Sequence, residues 1–195
     1  MAIVTNFSDL DLTKQYSYSD YVLWQFQERV ELIKGFILQM SPAPNMVHQT
    51  IVNNLTGIFY INFKTKPCRV FQAPFDVRLL ISSAKKDSTV VQPDLCVICD
   101  EDKLDARGCN GSPDLMVEII SPNNSKHDVH TKFNLYQEAG VKEYWIVEPN
   151  DKLILVYTLI NGTFIGLKPQ VEGEKLTSPL FPDLDIALED VFYKV

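Results

Sequence analysis

Glu118 stands inside Leu115-Met116-Val117-Glu118-Ile119-Ile120, an apolar run bracketed by Pro113 and Pro122. Such a run reads as a strand covered on both faces. An ionised carboxylate there costs several kcal/mol of desolvation unless a cation, hydrogen bonds or a metal offsets it. Upstream lies a second segment of the same kind, Val90-Val91-Gln92-Pro93-Asp94-Leu95-Cys96-Val97-Ile98-Cys99, with Asp94 at the start of its apolar run. The two acids are 118 − 94 = 24 residues apart, which fits a strand, a loop and a returning antiparallel strand. Paired in that way, their carboxylates converge. Two carboxylates so close repel, and a shared proton or a divalent cation is the usual remedy. A hard cation held by carboxylates, a carbonyl and water is typical of Mg²⁺ sites that act on phosphates. The rival acid, Asp114, shares a strand with Glu118 and sits about 13 Å from it along that strand, too far for one ion to bridge.

Other segments extend the pattern: Val30-Glu31-Leu32-Ile33-Lys34-Gly35, Met40-Ser41-Pro42-Ala43-Pro44, His48-Gln49, Gln92-Pro93-Asp94-Leu95, Val117-Glu118-Ile119-Ile120-Ser121-Pro122, Asp128, Lys132, Tyr136 and 140–149. Together they resemble the Uma-type restriction endonucleases of the PD-(D/E)xK nuclease superfamily, from about residue 17 to the C-terminus. The resemblance implies an α/β (α+β) fold with a restriction-endonuclease-like core, in which helices flank a central mixed β-sheet, with an N-terminal helix and hairpin. It also implies an endonuclease that hydrolyses DNA phosphodiester bonds with Mg²⁺ or Mn²⁺, and a homodimer by analogy. Asp94, Glu118 and the Ile119 carbonyl would hold the cation. Asp94, Glu118, Lys132 and Glu31 would carry catalysis, while His48 and Gln92 would contact substrate. One position departs from the superfamily: its lysine stands two residues after the acid, and here that residue is Ile120. Either an ammonium reaches the site from elsewhere, with Lys132 the candidate, or the chain is a catalytically inactive nuclease-fold domain that binds nucleic acid or protein.

These residues need a scaffold, and 195 residues with 46% hydrophobic and 22% charged side chains suffice for one domain with an ample core. Residues 1–15 are polar and read as a loosely held arm. No apolar run approaches the roughly 20 residues of a membrane-spanning helix, and Asp9 and Asp11 stand where a signal peptide would be basic. The expectation is a cytoplasmic protein. Four cysteines without a framework spacing fit a reducing compartment. Cys96 and Cys99 point to opposite faces of a strand and read as buried thiols. A formal net charge of −7 argues against charge-driven coating of DNA. A local groove carrying Lys and Arg, with a metal, remains compatible with it.

Periodicity predicts the positioning elements. A short helix follows Ser17 or Ser19, and a hairpin spans 29–40 around Lys34-Gly35. Val47, Ile51, Leu55, Ile58 and Phe59 recur at helical spacing over 45–63, with His48 in the first turn. Strands are expected at 68–73 and 74–81, the latter placing Asp76 and Arg78 on one face as a surface or cross-strand pair. Lys85 and Lys86 lie in a loop, and 100–111 is a charged connection. A second helix over 125–139 buries Val129, Phe133, Tyr136 and Ala139, with Asp128 and Lys132 sharing a neighbouring face. On it His127 and His130 are spaced for chelation, without a further ligand motif. A core strand at 142–149, a hairpin at 152–167 and a short C-terminal helix complete the chain.

Overall fold

The computed structural model describes residues 3–40, 45–84, 87–121 and 126–195, and only the backbone of 126–128. Near its start, α1 (Tyr18–Tyr21) begins at Ser17, whose amide and hydroxyl both donate to Asp20 Oδ2, at 2.8 and 2.7 Å. The hairpin then forms from β1 (Val30–Ile33) and β2 (Phe36–Gln39). Lys34 and Gly35 take positive φ angles of 53° and 89° at its tip, as the twist of a two-residue hairpin requires. The arm expected to be loosely held is anchored: Val4 donates to the Leu23 carbonyl and accepts from the Gln25 amide, and Phe7 packs edge-on against Phe26.

Apolar periodicity located both long helices. α2 (Met46–Phe63) is capped by Asn45, whose side chain accepts from the His48 amide, and it buries Ile51, Leu55, Phe59 and Phe63. α3 (Lys126–Ala139) buries Leu135 and Tyr136 and stops at Gly140, where φ is 80°.

The remaining elements are β3 (Arg69–Gln72), β4 (Val77–Arg78), β5 (Val90–Val91), β6 (Leu95–Ile98), β7 (Leu104–Asp105), β8 (Gly108–Asn110), β9 (Leu115–Ile119), β10 (Glu143–Glu148), β11 (Leu153–Ile160), β12 (Thr163–Gly166), β13 (Gln170–Val171) and α4 (Leu188–Val191). They build two sheets, β12-β11-β10-β9-β6-β3 with β13 on β11, and β2-β1-β5-β4-β8-β7. The larger is mixed, because β9 runs parallel to β10 and antiparallel to β6. The expected fold class is therefore the observed one. Alternation along β9 sends Leu115, Val117 and Ile119 into the core shared with α2 and α4, and Met116 into the core shared with α3.

Three expectations about strands and their connections need correction. The run 90–99 is two strands in different sheets: Pro93 has no N–H for a ladder, and the chain crosses there from β5 to β6. The strand at 74–81 shrinks to Val77–Arg78, and Asp76 and Arg78 part company: Arg78 reaches Asp105, while Asp76 accepts from Tyr21 and Gln92. The connection 100–111 holds the β7–β8 hairpin, in which Gly108 (φ 130°) passes so close that a Cβ would lie 2.1 Å from the Asp76 carbonyl oxygen. The thiols differ too: Cys99 is joined to Cys68 as a disulfide across β3 and β6, while Cys96 and Cys109 are buried free thiols. No helix among the described residues is long and apolar enough to cross a membrane.

Candidate active site

The register Leu95↔Val117 and Cys96↔Met116, carried one residue further, sets Asp94 opposite Glu118. Asp94 has the parity of Cys96 and Ile98, so it belongs to the sheet face that Met116 and Glu118 share. Its Oδ2 accepts from the Ile119 amide at 2.8 Å and lies 3.1 Å from Nε2 of His48, which comes from the first turn of α2. Glu31 arrives from the smaller sheet. Its Oε1 accepts from the Gln92 amide at 2.8 Å, just before the crossover. The acids therefore gather where the two sheets meet.

α3 supplies the cation. Lys132 Nζ lies 2.9 Å from Glu118 Oε1 and 3.2 Å from Glu31 Oε1. One helical turn later, the Tyr136 hydroxyl donates to the same Glu118 oxygen at 2.6 Å. Ile120, in the place of the superfamily's lysine, packs against the core beneath α3 and donates its amide to the Val147 carbonyl. An ammonium is thus present beside the acids, delivered by a helix instead of the strand.

The electrostatics follow from burial. Glu118 is 8% exposed, and desolvation pushes its carboxyl up to about 7; Asp94 and Glu31 push the same way, against Lys132. Burial alone would lower Lys132, but the carboxylates of Glu118 and Glu31 outweigh it and hold the ammonium well above its ordinary value. Lys132 therefore stays charged, a donor and not a proton acceptor. Burial, reinforced by Glu118, keeps the Tyr136 phenol neutral and donating. Three acidic side chains, Glu31, Asp94 and Glu118, act on one ammonium, so acids outnumber cations in the cluster.

That surplus bears on a divalent cation. Among the described residues no group of three His, Cys, Asp or Glu side chains is arranged to hold a metal unaided. Two carboxylates from adjoining strands do suit Mg²⁺, which keeps much of its water shell and uses one or two acids. His48 Nδ1 is buried without a hydrogen-bond partner among the described residues. The donor chemistry fits a hard cation at Asp94 and Glu118.

The structure places Glu31, His48, Asp94, Glu118, Ile119 and Lys132 in one cluster, and the Gln92 backbone with them. The Gln92 carboxamide turns away, to Arg29, Asp76 and Tyr21. Asp114 lies apart, bound to Lys142 at 2.6 Å and to the Cys99 amide at 2.7 Å. His130 contacts Asn134 on the surface. Residues 41–44, Lys85, Lys86 and Pro122, and the side chains of His127 and Asp128, lie outside the described residues. Sequence reasoning put Tyr136 in the core stripe and missed its bond to Glu118. The available signal was its position four residues after Lys132, on the same side of the helix.

Comparison with known proteins agrees with this architecture. The Uma2 family model, described as "Putative restriction endonuclease", matches residues 18–189. A crystal structure described as "a putative nuclease belonging to DUF820 from Anabaena variabilis ATCC 29413" has the same fold, with a TM-score of 0.69 and 20% identity, covering 91% of this chain and 97% of that one. No curated protein matches the sequence. A match over nearly the whole chain, together with that shared fold, shows that this protein belongs to the Uma2 family of restriction-endonuclease-like proteins.

Proposed function

We propose that the chain is a metal-dependent endonuclease that hydrolyses phosphodiester bonds in DNA. The observation that carries this reading is Lys132 Nζ between Glu118 and Glu31, beside Asp94 on the adjoining strand. It restores the acid–acid–lysine set that Ile120 removes from the strand. Asp94, Glu118 and the Ile119 carbonyl would hold Mg²⁺ or Mn²⁺. The ion would supply Lewis-acid polarisation of the scissile phosphate.

The chain's own groups have separable tasks. The Ile119 amide orients Asp94, and Tyr136 fixes Glu118. Glu31 also pairs with Lys132 while accepting from the Gln92 amide. The permanently charged Lys132 orients the attacking water or stabilises charge developing on the phosphate. His48, whose Nε2 lies 3.1 Å from Asp94 Oδ2, would contact substrate beside that acid. By analogy with two-strand cutters the protein would act as a homodimer, in the cytoplasm.

The test is a plasmid and oligonucleotide cleavage assay. Wild type with Mg²⁺ or Mn²⁺ should cut and EDTA should stop it; Asp94→Asn and Lys132→Met should each lower the rate at least about 100-fold. One observation favours a second reading, a noncatalytic binding domain: Asp94 and Glu118 already have partners within the chain, in the Ile119 amide, Lys132 and Tyr136. Nucleic-acid binding by wild type without cleavage under any divalent ion would establish that alternative.

A further inference from the structure

Gln92 belongs to two places at once. Its backbone amide serves Glu31, while its side chain lines a cavity of about 610 Å³ that no catalytic role above uses. That volume falls within the range of small-molecule sites. Aromatic rings supply much of the wall: Trp24 lies 5.6 Å from Tyr21 and 5.8 Å from Phe26, between ring centroids. Two exposed arginines, Arg29 and Arg107, line it as well. Its polar groups are linked, since Gln92 Nε2 donates to Asp76 Oδ1 at 2.8 Å and Arg29 Nη2 donates to Gln92 Oε1 at 2.9 Å.

Aromatic side chains beside guanidinium groups suit a flat heterocycle that carries a phosphate. Bases stack on Trp and Tyr regardless of sequence, and guanidinium forks bind phosphate oxygens in charge-assisted pairs. A base inside a duplex is already stacked and cannot enter such a slot, so the fitting ligand is unpaired. The Asp76 carboxylate only accepts hydrogen bonds, so it favours a base with an exocyclic amino group, adenine, cytosine or guanine, over thymine.

We propose that this cavity binds one unpaired nucleotide, its base against Trp24 and Tyr21 and its phosphate on Arg29 and Arg107, next to the proposed cleavage centre. The assignment rests on the nuclease reading, because Gln92 and the Val30–Glu31 step join the cavity to the acids. The nucleotide comes from a substrate strand or from solution, and the chemistry of recognition is shared.

The experiment titrates wild type in EDTA, where no cleavage occurs, and follows tryptophan fluorescence. Trp145 is fully buried, so quenching reports Trp24. Single-stranded oligo(dA) should quench, and the equivalent duplex should do so far less. Arg107→Gln, an exposed change, should weaken oligo(dA) binding by roughly tenfold. Trp24→Leu should abolish the quench while Arg107→Gln unfolds at the wild-type temperature. If dAMP binds as tightly as the oligonucleotide, the cavity is a free-nucleotide site; if it binds far more weakly, the cavity receives a strand. Unchanged affinity in Arg107→Gln together with Arg29→Gln overturns the assignment, even where wild type cleaves DNA. Retained binding without any cleavage by wild type removes the nuclease reading alone.

Discussion

Lys132 is the residue on which the site's charge balance turns. Breaking a buried ion pair leaves uncompensated charge and costs about 3–5 kcal/mol. Lys132→Met should therefore lose roughly that much stability at pH 8, where Glu118 would be ionised, and clearly less at pH 5, where Glu118 takes a proton; urea melts at the two pH values measure the difference. Glu118 itself gives a second prediction. Its folded-state value of about 7 lies above the ordinary 4.5, so the folded state holds its proton more tightly than the unfolded chain. Stability from this group is present below pH 4.5 and is lost as pH rises to about 7, by on the order of 3 kcal/mol without divalent cation. Glu118→Gln should flatten that slope. A slope unchanged in the variant would mean the cluster does not feel its burial.

Close backbone approach governs the elements that frame the site. The β4–β8 pair depends on Gly108, whose missing side chain lets the Cys109 amide reach the Asp76 carbonyl at 2.9 Å. Gly108→Ala combines an unfavourable φ with a clash against backbone. It should cost about 2–4 kcal/mol by thermal unfolding and disturb the cavity that Asp76 lines. The β3–β6 pair is tied by Cys68–Cys99, which closes a loop of sequence separation 31. Loop-closure entropy puts its loss at about 3–4 kcal/mol. Thiol titration of unreduced, denatured protein should find two thiols, Cys96 and Cys109, and four after reduction.

For the whole molecule, the net charge of −7 limits nonspecific attraction to DNA. On the proposed reading, productive contact would depend on local cations, Lys132 at the acids and Arg29 and Arg107 at the cavity. A homodimer would place two such centres on one duplex. Analytical ultracentrifugation should give twice the 22.2 kDa chain mass, and a species that stays monomeric while cutting both strands would overturn the two-centre arrangement.

Local pattern was enough to read the elements that carry their own signal. The 3.6-residue stripe marked α2 and α3, Lys34-Gly35 marked the hairpin tip, and the spacing of Asp94 and Glu118 anticipated their antiparallel strands. These depend on periodicity and backbone preference, which act between near neighbours. Long-range packing decided the rest. No local rule shows that Pro93 carries the chain from one sheet to the other, that Glu31 meets Lys132 across 101 residues of sequence, or that Cys68 finds Cys99. Nor does any local rule show that Tyr136, apolar enough for a core stripe, turns its hydroxyl to Glu118. A buried carboxylate must be satisfied by whatever the fold brings to it, and only the tertiary arrangement of sheets and α3 determines which groups those are.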